Sequence, residues 1–226
     1  MSQLVDIFLQ PGKTFAELKD KPTFLLPVAL ATVVTVAVTA LYFSSVDGDW
    51  LVDQLLSANP DATAKEIEQA RKVMPGAKVM GYFAIGWGAI STVLFTALAA
   101  LYFLIAGKIS GNPVSFRHGM SLSAWSGMPS LLLMVVILIG VLTMDPQTQF
   151  SSLALLNVDP LFFELPMDHP WSGFAKSLSL LMPWTIFLGA LGWRTWFRTG
   201  WGQAAIVSAL PYVVYFGVLA TLALLR

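Results

Sequence analysis

The chain contains no cysteine. That excludes disulfides, thiolate metal ligands and a cysteine nucleophile, although it leaves the compartment open. Histidine is nearly absent too, with only His118 and His169. Charge is scarce: 12% of residues are charged against 56% hydrophobic, and the net charge is zero. With no basic excess, nucleic acid is not an expected partner.

The scarcity of charge is also patterned. Five stretches, 22–46, 79–107, 119–144, 177–193 and 199–225, hold no charged residue. Crossing about 30 Å of hydrocarbon takes about 20 helical residues. Four stretches exceed that length; 177–193 is marginal unless Lys176 snorkels and 171–175 extends it. The expected fold is an all-α polytopic membrane helical bundle. Its parts would be a cytoplasmic interfacial leader at 1–22 and a five-span domain at 23–226, with spans at about 23–46, 79–107, 119–144, 171–193 and 201–225. Four spans with one interfacial or re-entrant segment is the rival arrangement. The first apolar run follows a charged leader and ends in no small-residue cleavage site, so it reads as a span rather than a signal peptide.

Cationic residues suggest the orientation. The loops after spans two and four carry Lys108, Arg117, Arg194 and Arg198 with no acid. This places the N-terminus in the cytoplasm and the C-terminus outside, against the opposing weight of Lys65, Arg71, Lys72 and Lys78. Leu4, Ile7, Phe8, Phe15 and Leu18 have helical spacing interrupted by Pro11, which suggests two short amphipathic helices on the inner leaflet. Lys13, Lys19, Lys21, Arg117, Arg194 and Arg198 are the candidate headgroup contacts.

Two outer loops are expected to carry short helices. In 47–78, Asp49 is the candidate cap of the first and Asn59-Pro60 its stop. Thr63 and Glu66 form a capping box for the second, Glu68 and Lys72 an i,i+4 pair, and Pro75-Gly76 ends it. The loop 145–176 is apolar for a loop. Asp159-Pro160 suggests a helix start, and Phe150, Leu155, Leu161, Phe162 and Phe163 form either an interfacial belt or an outer docking surface. Trp50, Trp171, Trp193, Trp196 and Trp201 fall at expected span ends, at headgroup level.

Within the second span, Ala84, Gly88, Thr92, Thr96 and Ala100 repeat every four residues, a candidate helix-packing seam. Lipid gives helices no hydrophobic reason to associate, so small residues that admit close backbones matter more. Thr32, Thr35 and Thr39 are the plausible mate. Pro129, Pro183 and Pro211 are candidate kinks, and Ser121, Ser123, Ser126 and Ser130 crowd the first.

Chemistry-bearing motifs are missing. No ionisable residue lies deep in a span, where coupled carriers and proton relays need them. The two histidines fall on opposite sides of the membrane in this topology. Pro11-Gly12-Lys13-Thr14 ends like a phosphate-binding loop, but Ile7 occupies the leading glycine position. Asp145, Asp159, Glu164 and Asp168 match no calcium loop and read as a solvated acidic face. Neither a catalytic residue, a cofactor nor a metal site is expected.

Several short motifs resemble those of the Yip family, the Ypt/Rab-interacting five-span membrane proteins, in its bacterial branch. They are Pro11-Gly12-Lys13-Thr14-Phe15, Pro27, and Gly111-Asn112-Pro113-Val114-Ser115-Phe116 leading to Ser121-Leu122-Ser123-Ala124-Trp125-Ser126-Gly127-Met128-Pro129. The segment 157–165 and Trp184 with Gly189 and Gly192 continue the likeness. The resemblance implies five helices, a cytoplasmic N-terminus and no catalytic residue. Eukaryotic relatives act with small GTPases, but this chain lacks their long N-terminal arm, so that role does not carry over. Some bacterial relatives resemble accessory subunits of ABC-type export systems. The expectation is therefore a non-enzymatic accessory or scaffolding subunit of the bacterial inner membrane. Its partners would be lipids and other membrane subunits, such as an ABC permease or periplasmic adaptor, with a homo-oligomer left open. A small transporter or channel with a polar cavity near span three, and a lipid-headgroup-binding organiser, are the alternatives.

Overall fold

The structure is a computed structural model and describes residues 3–57 and 62–225. The Asn59-Pro60 stop and the terminal Arg226 lie outside the described residues. The fold is all-helical, and among the described residues the one strand-like pairing is a bridge between Asn157 and Ser179.

Among the described residues, three helices are long and apolar enough to cross a membrane: α3 (Leu25–Ser45), α6 (Ala77–Ile109) and α12 (Trp201–Leu224). Helices α7 (Phe116–Ser126) and α8 (Ser130–Thr143) make a fourth if taken as one broken span, bent by 46°. The break has a local cause. The Gly127 amide turns back to the Ser123 and Trp125 carbonyls to close α7, and Pro129 brings no amide to continue it. Helix α11 (Met182–Phe197) has only 16 residues, about 24 Å at 1.5 Å per residue. The segment 171–193 is thus no continuous helix: it divides into α10 (Ser172–Ser177), a non-helical link and the first turns of α11. Pro183 stands in the first turn of α11. A missing amide there breaks no helical bond, so Pro183 opens a helix rather than kinking one. Pro211 does lie inside α12.

The chain divides into two compact units. The first is made of Met1–Val33, Ile90–Leu132 and Leu181–Phe216. Pro11 separates α1 (Gln3–Leu9) from α2 (Pro11–Asp20), as the leader's apolar spacing suggests. Much of the apolar face of this pair is buried in protein. Ile7, Phe15 and Leu18 are fully buried among Leu122, Trp125, Leu188 and Trp193. Glycine makes this docking possible: a Cβ at Gly192 of α11 would stand 2.9 Å from the Phe15 ring and 2.5 Å from Leu122 Cδ1. A second close approach joins α6 to α7, where a Cβ at Gly119 would meet the Ala100 carbonyl oxygen at 2.6 Å. Trp193 and Trp196, expected at headgroup level, are core residues at 0% and 3% exposure. Trp196 donates its indole N–H to the Phe15 carbonyl at 2.7 Å, and Trp125 donates to Thr23 at 2.7 Å.

The second unit is made of Val34–Ala89, Leu133–Leu180 and Gly217–Arg226. Its core joins Val38 and Tyr42 of α3 to Ile137 and Val141 of α8, and to Leu153 and Ala154. Helix α4 (Gly48–Leu56) is capped by Asp47, not Asp49: the Asp47 carboxylate accepts from the amides of Asp49 and Trp50. Asp49 falls two residues too late, inside the helix it was expected to start. Helix α5 (Ala64–Val73) begins with the expected capping box, and Glu68–Lys72 pairs at 2.7 Å. An Arg71–Asp53 ion pair joins α5 to α4.

The segment 145–180 folds on itself around a 3-10 turn at Phe150–Leu153 and the short helical turn α9 (Val158–Leu161). The Asn157 side-chain amide donates to the Lys176 carbonyl at 2.8 Å, and the amides of Val158 and Leu180 reach the carbonyls of Leu178 and Leu156. Asp159 does not cap a helix and is not solvated. It is 3% exposed and accepts the Leu165 amide at 2.9 Å. A carboxylate holding a turn from inside satisfies a backbone donor that burial would otherwise orphan.

Candidate functional site

Two places in the first unit gather polar groups. One is a node where the ends of three helices meet. Lys19, at the end of α2, donates to the Trp196 carbonyl near the end of α11 at 2.6 Å. His118 lies between Ser115 and the Lys19 carbonyl. A carbonyl can only accept, so Nε2–H donates to Lys19 at 3.0 Å, and Nδ1 stands 2.7 Å from the Ser115 hydroxyl. Arg117 Nε donates to the Pro22 carbonyl at 3.0 Å. Cations at helix C-termini satisfy carbonyls that have no intrahelical partner and complement the helix dipole.

The other candidate headgroup residues vary in their surroundings. Lys13 Nζ lies 3.9 Å from Asp6, a buried carboxylate on α1. The Arg194 guanidinium lies 4.8 Å above the Trp201 ring. Arg198 ends α11 in the left-handed region, at φ 52°. Lys21 is exposed at the end of α2. The Thr14 hydroxyl of the phosphate-loop look-alike is buried and turned to the Gln10 carbonyl of its own helix start. That excludes a loop open to phosphate.

The second place is a cleft of about 300 Å³ lined by Thr96, Ser123, Ser126, Thr185, Ser208, Tyr212 and their neighbours, with Pro211 in its wall and no charged residue. It lies where the transporter alternative expects polar lining. Its hydroxyls are largely engaged already. Thr96, Ser126, Thr185 and Ser208 donate to backbone carbonyls of helices α6, α7 and α11 or the turn preceding α11, and Tyr102 donates to Val207 at 2.6 Å. Such back-bonding is how hydroxyls sit in apolar surroundings without a ligand. Ser121 is different: it is fully buried and its Oγ has no partner among the described residues.

The α6 stripe is used within both units. In the second, Gly88 faces Thr35 of α3, whose Cγ2 lies 3.1 Å from where a Cβ would stand. In the first, Ala100 is fully buried against Gly119. Ala84, Thr92 and Thr96 are half-buried. Phe150, Leu155, Leu161, Phe162 and Phe163 are 36–64% exposed, and Phe150 also meets the Tyr42 ring edge-on. Among the described residues no three His, Asp or Glu side chains converge as metal ligands.

The Yip1 domain model matches residues 5–223. The chain belongs to the Yip1 domain family. Yip1 domain membership and its long apolar helices make it a multi-pass membrane protein. No curated protein and no solved structure matches the chain. The matched region of the Yip1 domain includes the leader helices, in keeping with their burial in the first unit's core. Gly192, which admits that packing, and Gly119, which admits the approach of α7 to α6, carry no sign of these contacts in the sequence. A glycine inside a helical run signals close approach only once its neighbour is known.

Proposed function

We propose that this protein is a non-enzymatic accessory or scaffolding subunit of a complex in the bacterial inner membrane, and that an ABC-type export system is its setting. The observation that carries this is bare glycine on bare helices. Only 11% of the most apolar stretch of α6, and likewise of α12, is buried within the chain. Gly86, Gly202 and Gly217 each face open space. Inside a helix a glycine costs about 1 kcal/mol relative to alanine. Against lipid it returns nothing, whereas against another helix it admits close backbone contact. The engaged hydroxyls of the cleft favour this reading over a conducted substrate.

The topology that goes with the proposal has five crossings, with α10 and α11 together serving as the fourth. The N-terminus is cytoplasmic and the C-terminus external. The loops carrying α4, α5 and the 145–176 segment then lie outside, where Phe162 and Phe163 can meet an adaptor.

The test is purification in lipid nanodiscs with a photo-crosslinking residue in place of Thr221, exposed one turn from Gly217 on the same helical face. Crosslinking to one defined membrane subunit, lost in Gly217→Leu while thermal stability is kept, is the expected result. Crosslinks to lipid alone would overturn the proposal.

A further inference from the structure

We propose that the second unit binds an amine-headed membrane lipid, with one acyl chain in an apolar groove and its headgroup in an adjoining polar pocket. The groove, about 400 Å³, runs between Thr39, Tyr42 and Phe43 of α3, Leu51 and Leu55 of α4, and Ala84 and Trp87 of α6. The pocket, about 250 Å³, is lined by Ser57, Pro166 and Asp168 among others. Gln54, Gln149 and Met167 line both cavities, so the two adjoin.

This adjacency decides the chemistry of the occupant. Two walls of the groove are helices apolar enough to cross a membrane, so acyl chains are the apolar matter at its mouth. A free apolar chain would leave the pocket unused, and a polar solute would leave the groove unused. An amphiphile occupies both, and sites of this size ordinarily combine an apolar body with a few placed polar groups.

The junction supplies those groups. The side-chain amides of Gln54 and Gln149 have no partner among the described residues, and each offers donors and an acceptor. They suit a phosphate diester or an ester carbonyl. Beyond them, among the described residues, Asp168 is the only ionisable residue in the pocket lining, and no Lys or Arg lines it. A headgroup ending in an amine pairs with Asp168, whereas one ending in an anion or glycerol alone does not. The site is therefore distinct in place and in sign from the basic residues of the first unit, and it does not depend on the partner reading above.

Native mass spectrometry of the full chain in mild detergent, titrated with lysophosphatidylethanolamine and lysophosphatidylglycerol, tests the proposal. One saturating adduct is expected, with about fivefold preference for the amine-headed lipid, the scale of one partly exposed ion pair. Ala84→Trp, which fills the groove, should weaken both lipids more than tenfold. Asp168→Asn should erase the preference while leaving chain binding in place, and it guards against a folding failure of the larger substitution. Equal binding of the two lipids by the wild type, or multiple unsaturating adducts unaffected by Ala84→Trp, would overturn it. A homodimer peak in place of the adduct, dissociated by Ala84→Trp, would assign the groove to a second copy and overturn it equally.

Discussion

If the leader helices belong to the core, then truncating Phe15 must destabilise the whole first unit rather than loosen a peripheral segment. Phe15 is fully buried, and its ring lies against the backbone of α11 at Gly192. Phe15→Ala removes nearly the whole side chain and leaves a cavity walled by Leu122 and Trp193, at a cost of about 3–5 kcal/mol. Gly192→Ala works from the other side. Its methyl gains about 1 kcal/mol of helix propensity. It also forces the Phe15 ring and Leu122 out of place, an overpacking cost of about 1–3 kcal/mol. In the Phe15→Ala background half of that clash is gone, so the second substitution should become neutral or stabilising. The coupling between the two is expected at about 1–2 kcal/mol. Denaturant unfolding in detergent, followed by tryptophan fluorescence, measures all four corners of the cycle. Trypsin cleavage at Lys13 and Lys19 supplies a second readout: slow in the wild type, fast in Phe15→Ala. A leader lying on lipid would give wild-type stability for Phe15→Ala and additive behaviour for the pair, and that result would refute the docking.

Three further outcomes follow from other contacts. Gly119→Ala should destabilise by about 1–3 kcal/mol, since its Cβ meets the Ala100 carbonyl, which cannot rotate away as a side chain can; unchanged thermal unfolding in detergent would contradict the α6–α7 contact. Arg198→Gly should stabilise by about 1 kcal/mol by relieving a left-handed residue that carries a Cβ, read as a rise in Tm. The Glu66 carboxyl is held below its usual value by the hydrogen bond from the Thr63 hydroxyl, aided by the Thr63 amide. Its folded value being depressed, the cap's contribution is complete above the ordinary carboxylate range and is lost as pH falls through the lowered value. Thr63→Ala should therefore move the Glu66 titration midpoint upward in carboxyl-detected NMR, and identical midpoints would exclude the capping box in solution.

Some of this was legible one residue at a time. The capping box at Thr63 and Glu66, the Pro11 division of the leader and the Pro129 break are local chemistry, written in neighbouring side chains and in a missing amide. Asp47 and Asp49 show the limit even there: both are capping residues two positions apart, and only the geometry of the turn picks Asp47. Tryptophan was misleading for a related reason. An indole suits a membrane interface and a protein core alike, and the Phe15 carbonyl that satisfies Trp196 lies far away in the chain.

Composition and the uncharged runs alone determined that the long helices of this chain belong in lipid, because burying so much apolar surface leaves too few charges for a water-facing shell. Apolar runs say nothing about which faces meet protein and which meet hydrocarbon, since both are equally apolar. Only the tertiary structure decided that the amphipathic leader packs against the core, that the helix over 171–193 is interrupted, and that an apolar groove adjoins a polar pocket. Each of these depends on residues distant in sequence meeting at contact distance, a relation that no local pattern encodes.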